Sequence, residues 1–520
     1  MMFSARHDWL RHRLGSSRYW RQSLVSGCTA WVLVLAMVAL PGHANPTFDL
    51  VIAGGRVMDP ETGFDDVRDV GISDGKIQAI SDEPLAGHRV VDARGHVVAP
   101  GFIDIHTHTP TPLGQQSNVL DGITTQLDTE AGAFPVAAFG SLIEQTSLIN
   151  FGASVAHFAA RIKVIEGKDQ PYFFHGDTAI TMGSPAWEQA ASAEQIEAMR
   201  GLLREGLLSG GLGIGVLLDY MRDAVSLQEL TMVFETAAEF DAPVFIHVRR
   251  NLPGDPAGLL EALELAEQTG APVFICHLTH NAMGGVSDWL AAIDAARSRG
   301  VRVATETLSY LAGGTSISAD VFRKRDWQAI FDITYEDVQW TATGEWLTKE
   351  TWDYYVQHEP GGGVNHHYLK EPWLAKALAW PDMMVSTDAL PAFTRDQQSN
   401  PNIAGTFSLF LGRYVRERGY LSLMDALART SLKQAQWLEP IAPVFANKGR
   451  LQVGKDADIV VFDPQTIAAG ANYQAPYAPP VGVPWVIVNG ELVVAEGALI
   501  SERYPGKRLL ASGGRVVARD

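Results

Sequence analysis

Gly101-Phe102-Ile103-Asp104-Ile105-His106-Thr107-His108 is the stretch on which the reading of this chain turns. An apolar run ends in two histidines one residue apart. Residues i and i+2 of a β-strand point to one face, so His106 and His108 leave the same side of a strand end. Two neutral imidazoles placed that way can share a divalent metal. Pro100-Gly101 breaks the chain before the run, and Phe102, Ile103 and Ile105 read as a buried strand of the kind that builds a parallel sheet.

Downstream of this stretch, short apolar segments at 123–127, 153–157, 213–218, 244–248, 273–278, 301–305 and 384–388 alternate with helix-like stretches at 193–208, 227–240, 256–268 and 286–299. A repeated strand–helix alternation predicts a parallel sheet with crossovers, most economically a (β/α)8 TIM barrel. A doubly wound sheet is the alternative. It would want a glycine-rich phosphate loop after its first strand, where this chain has His-Thr-His. Residues 48–98 and 448–498 have a different, hairpin-like texture. Gly54-Gly55 reads as a turn between 50–52 and 56–58, and Asn489-Gly490 is a strong hairpin signal. The expected organisation is a small β-sandwich domain built from both terminal regions, 45–98 and 445–520, around a barrel at 99–444.

Residues 1–44 read as a signal peptide. Arg6, Arg11, Arg13, Arg18 and Arg21 precede an unbroken apolar run at 30–40, and Pro41-Gly42-His43-Ala44 offers a cleavage site before Asn45. The run is short for a membrane span; an uncleaved anchor is the alternative. The expectation is export, to the periplasm, with no stable membrane insertion after processing. The chain of 520 residues carries a net charge of −18; losing the five arginines and one aspartate of 1–44 leaves −22. So acidic a surface argues against nucleic acid or an anionic membrane as partner. Of the two cysteines, Cys28 lies in the signal segment and Cys276 remains alone, so no intrachain disulfide is expected.

Barrel enzymes place their chemistry at the carboxyl ends of the strands. There the sequence offers His106 and His108, Asp128 and Glu130, His247, His277 and Asp388. One metal cluster accounts for all of them. Taken with Gly122-Ile123-Thr124-Thr125, Gly210-Gly211-Leu212-Gly213-Ile214-Gly215, Ser386-Thr387-Asp388 and Gly449-Arg450-Leu451-Gln452-Val453-Gly454-Lys455-Asp456-Ala457-Asp458, these pieces resemble the amidohydrolase superfamily. The D-aminoacylase (N-acyl-D-amino-acid deacylase) branch is the most similar.

The resemblance implies one or two divalent ions, zinc foremost, with His106 and His108 on one and His247 and His277 on the other. It also implies a bridging ligand. Many relatives bridge with a carboxylated lysine of the fourth strand, but 211–220 contains no lysine; the aminoacylase branch uses a cysteine after the second strand, but 128–132 contains none. Glu130 is the natural substitute, with Asp128 as the alternate. Asp388 is expected to take a proton from metal-bound water and return it to the leaving amine.

Arg249 follows His247 by two and is the candidate for a substrate carboxylate; Tyr220, Tyr310 and His367 are further substrate-binding candidates, and His280 lies within reach of the site. The branch usually has a basic residue two after its second ligand histidine, where this chain has Thr279. Cys276 is expected in the core, on the strand face opposite His277. The expected activity is hydrolysis of a non-peptide amide C–N bond in a small N-acyl amino acid. A cyclic-amide hydrolase, a dipeptidase and a non-catalytic scaffold protein are the alternatives. Oligomeric state, a homo-oligomer included, is left open.

Overall fold

The structure, a computed structural model, describes residues 47–173, 182–397 and 399–512. The signal segment read at 1–44 lies outside them. Among the described residues no helix is long and apolar enough to cross a membrane.

Both ends of the chain meet in a nine-stranded sheet. Its amino-terminal strands are β1 (Thr47–Asp59), β2 (Phe64–Ser73), β3 (Lys76–Ser81), β4 (Ala86–Asp92) and β5 (Val97–Pro100). The first half of β1 pairs with β4 and its second half with β5, so one long strand has two successive partners along the same edge. This corrects the reading of Gly54-Gly55 as a turn. Gly54 adopts φ +66°, which only glycine takes up cheaply, and β1 runs through it as a bulge. Leu50, Ile52, Val57, Val70, Ile72, Val98, Ile459 and Ile487 pack together on one face. The other face, with Val97, Ala99, Val460, Val486 and Val488, packs on barrel helices.

Between these ends, eight parallel strands run in the order of a barrel: β6 (Phe102–Asp104), β7 (Ile123–Ala133), β8 (Asn150–Ala156), β9 (Ile214–Leu217), β10 (Val244–His247), β11 (Val273–Ile275), β12 (Val303–Leu308) and β16 (Met384–Ser386). Between β12 and β16 the chain inserts a three-stranded sheet of β13 (Gly313–Ser316), β14 (Val338–Trp340) and β15 (Gly363–His366). The carboxy-terminal strands β17 (Ile459–Phe462), β18 (Trp485–Val488), β19 (Glu491–Ala495) and β20 (Ala498–Leu499) then return to the first sheet. The barrel closes just past its strand ends. Asp388 N donates to His106 O at 2.7 Å and His108 N to Ala389 O at 3.0 Å. Asp104 adds a side-chain tie, accepting from Thr387 N at 3.1 Å and Thr387 Oγ1 at 2.6 Å.

The parallel strands are short and apolar because both faces are buried. Phe245, Phe274 and Met384 fill the interior with Ile103, Ile105 and Leu127, while Val244, Ile246, Val273 and Ile275 face the helix layer. Each fully buried Phe or Ile is worth about 1.5–3 kcal/mol. The covering helices follow the 3.6-residue pattern. Ala193–Leu208 starts at Ser192 with a capping box to Gln195, and Leu227–Glu239 starts at Ser226, whose side chain accepts from Glu229 N.

Candidate metal centre

The carboxyl ends of the barrel strands open into a cavity of about 430 Å³. Glu130 stands at its floor, 3% exposed. Its two oxygens face different partners. Oε2 lies 3.3 Å from His106 Nε2 and 3.5 Å from His108 Nε2. Oε1 lies 2.8 Å from His277 Nε2 and 3.2 Å from His247 Nδ1. Asp388 Oδ1 completes the first group at 3.4 Å from both His106 Nε2 and His108 Nε2.

These spacings suit a metal. A tetrahedral zinc with bonds of about 2.0–2.1 Å keeps neighbouring ligand atoms about 3.3 Å apart. In the set His106, His108, Glu130 and Asp388 the histidine–carboxylate distances, 3.3–3.5 Å, match that spacing, and Glu130, His247 and His277 form a second set around the other oxygen. His106 Nε2 is buried without a hydrogen-bond partner, a costly condition for a polar atom that a metal would relieve. The electrostatics agree. Burial opposes charge on His106, but Asp388 and Glu130 outweigh it and hold the imidazole well above its ordinary value. Burial likewise opposes charge on His108, which Asp128 outweighs. For Glu130 burial works upward, yet His106 and His277 hold it well below the usual carboxylate range. The pocket is rich in carboxylate and draws positive charge inward.

His277 reaches this point against the strand alternation. Val273 and Ile275 face the helices, so His277 would follow them outward. A left-handed backbone at His277, φ 35°, turns it into the cavity instead. Asp388 is also left-handed, φ 45°. Non-glycine residues held there cost of order 1–3 kcal/mol and cluster at functional sites. Cys276 stays in the barrel interior with Phe274, and burial pushes its thiol well up, which keeps it neutral. Gly215 lets the chain carrying Glu130 come close: a Cβ there would sit 2.3 Å from Glu130 O. β9 brings no lysine to this point.

Second partners orient the ligands. His106 Nδ1 donates to Glu306 Oε1 at 3.0 Å, and His108 Nδ1 to Asp128 Oδ2 at 3.2 Å. Asp128 Oδ1 meanwhile accepts from Ala131 N and Gly132 N, so Asp128 stands behind His108 and Glu130 between the two histidine pairs. Glu306 was missed in the sequence because the strand was read as ending at 305; β12 runs to Leu308, which makes Glu306 one more buried carboxylate on a barrel strand. Its Oε1 also accepts from His277 N, so it touches both histidine groups. Carboxylates behind metal-bound histidines are typically worth 10–100-fold in affinity. Glu306→Gln should therefore weaken zinc about 10–100-fold by titration calorimetry while the fold stays intact. Unchanged affinity would leave Glu306 a packing residue only.

Of the substrate-binding candidates, Tyr220 lines the cavity, its ring 5.0 Å from His247. Three others do not. Arg249 pairs with Glu261 and donates to Arg222 O, away from the cavity. The i+2 rule fails for it because β10 ends at His247. The next residue, Arg250, lines the cavity instead. Tyr310 donates its hydroxyl to Ala471 O at 2.8 Å, against the helix Asn402–Leu409. His367 sits between Trp346 and Tyr473 and bonds Gln339. Its neighbour His366 faces the cavity, so strand alternation turns His367 away. His280 does reach the cavity wall.

Comparison with known proteins agrees with this geometry. Residues 97–493 match the amidohydrolase family. The chain is 29% identical to a D-aminoacylase of Alcaligenes xylosoxydans xylosoxydans, covering 91% of this chain and 98% of that one. It is 30% identical to an N-acyl-D-glutamate deacylase of the same organism, covering 91% and 97%. Among solved structures, the N-acyl-D-glutamate deacylase of Bordetella bronchiseptica, complexed with zinc and a phosphonate mimic of the tetrahedral intermediate, superposes with a TM-score of 0.72. It is 26% identical and covers 90% of this chain and all of that one.

Proposed function

The chain belongs to the amidohydrolase family, and from that membership we propose that it is a zinc-dependent deacylase of N-acyl amino acids, of D configuration, that hydrolyses their amide C–N bond. The observation that carries this reading is Glu130, whose two oxygens are divided between His106–His108 and His247–His277 with Asp388 alongside. The names of the related deacylases supply the substrate class. The cyclic-amide alternative is weaker, because β9 offers no lysine to carry the bridge expected of that group.

His106, His108, His247, His277 and Glu130 would hold one or two zinc ions. Bound zinc acts as a Lewis acid that polarises a carbonyl and lowers the pKa of water to about 7. The protein's own residues supply the rest. Burial works upward on Asp388, but His106 and His108 more than offset it and hold the carboxylate below its ordinary value; with zinc on those imidazoles, the charge of the metal would keep it ionised in their place. It can therefore accept a proton from the attacking water. Once protonated, it can pass that proton to the departing amine nitrogen, which is a poor leaving group without it. Tyr220, its hydroxyl 3.0 Å from Thr315 Oγ1, closes the cavity wall over His247 and excludes water from one side.

The test is a panel of N-acetyl-D- and N-acetyl-L-amino acids, hydantoins and dipeptides offered to the zinc-loaded protein. Free amine should appear from the N-acetyl-D-amino acids, vanish on chelation and return with zinc. Turnover of the cyclic amides or dipeptides alone would replace this reading.

A further inference from the structure

One charged group in the cavity has no use in the scheme above. Arg250 is 7% exposed and is the only Arg or Lys among the described lining residues. Its Nη2 donates to Asn281 Oδ1 at 2.9 Å, while its Nε is buried without a partner. No carboxylate among the described residues pairs with it. Asp219, the nearby acid, is engaged elsewhere: it accepts from the backbone N of Arg250 at 2.7 Å and from Arg325 Nη1 at 3.1 Å. Arg161, another buried arginine of the barrel, is neutralised by Glu229. A buried cation left unpaired is expensive, and one aimed into a ligand cavity reserves that cost for an anion.

Its surroundings fit an anion rather than a structural partner. His280 and His366 line the same wall, 4% and 3% exposed. Burial, and then the charge of Arg250, hold His366 well below the ordinary histidine value, which keeps the wall free of a second cation. Phe331 supports the group from behind, 5.1 Å beneath the guanidinium and 4.6 Å from the His366 ring. Arg250 is also tied to the metal centre. Asn281, which accepts from it, places its amide nitrogen 3.0 Å from His277 Nδ1. In an N-acyl amino acid only Cα and the amide nitrogen separate the α-carboxylate from the scissile carbonyl, so an anchor this close to a ligand histidine suits that carboxylate.

We propose that Arg250 is the counterion for the α-carboxylate of the substrate, an assignment that rests on the deacylase reading. The guanidinium would form a bidentate pair with the carboxylate, and a substrate lacking that charge would leave the buried cation unpaired.

Binding separates this from turnover. In zinc-loaded Asp388→Asn, whose turnover should be slowed at least about 10²-fold, the dissociation constants of N-acetyl-D-methionine and of its carboxamide would be measured by calorimetry. The acid should bind at least about 10²-fold more tightly, as expected for a charge pair in a buried site. Adding Arg250→Gln should abolish that preference, and Arg250→Lys should restore part of it, with zinc content unchanged in all three. A preference that persists in Arg250→Gln would assign the carboxylate to the metal and overturn the proposal. So would equal binding of acid and carboxamide before Arg250 is changed. Should Arg250→Gln fail to fold, Arg250→Lys decides: a reduced preference with weaker binding of the acid supports a charge anchor, and an acid affinity and a preference both equal to those of Asp388→Asn alone overturn it. Failure of the deacylase reading is seen separately, as wild-type protein that binds the acid through Arg250 but releases no amine.

Discussion

Asp388→Asn should stay folded, keep most of its metal and lose at least about 10²-fold in turnover, the lower end of what general acid–base catalysis is worth. The substitution isolates the proton. Asn has the same size and retains one oxygen. It also tolerates the left-handed backbone that position 388 requires, φ 45°, better than most residues do. Metal should persist because the set Glu130, His247 and His277 does not include Asp388. What Asn cannot do is accept a proton from water and carry it to the leaving nitrogen. Metal content and kinetics need to be read on the same sample. Near wild-type turnover at full metal occupancy would remove Asp388 from the mechanism and pass the proton to another group, His280 or Glu130.

Glu130→Ala should have the largest effect on the metal itself. One carboxylate serves both histidine groups, so its loss strips a ligand from each at once. The change should exceed the 10–100-fold typical of residues one layer behind the ligands, that is, more than about 10² in affinity, with turnover lost in proportion. Glu130→Gln keeps one carbonyl oxygen and should fall between alanine and wild type. Elemental analysis after dialysis against a weak chelator measures both variants. Full metal content and activity in both would remove Glu130 as the shared ligand and return attention to Asp128.

Much of the architecture was legible in residue patterning. The parallel strands were visible because a strand buried on both faces has to be apolar along its length, as Val244–His247 and Val273–Ile275 are. The helix Ala193–Leu208 was legible to the residue, since its apolar spacing and its Ser192 cap are both local signals. His106, His108, Glu130, His247, His277 and Asp388 could be gathered because a barrel brings all its strand tips to one rim. Gly54-Gly55 misled for a reason equally local. A glycine pair permits a turn or a bulge, and the cross-strand pairing of β1 with β2 selects the bulge.

What residue order alone could settle was which side chains lie on strand ends and carry metal-binding chemistry. What needed tertiary structure was where those side chains point once the strands have ended. Alternation holds only while the backbone stays extended. Past His247 it fails, so Arg249 turns to Glu261 and Arg250 enters the cavity. Past Ile275 a left-handed residue reverses it, so His277 faces the metal centre instead of the helices. The partners of the site have the same origin. Glu306 meets His106 across 200 residues of sequence, a contact that exists only because barrel closure sets β6 and β12 around one axis, and no local pattern encodes it.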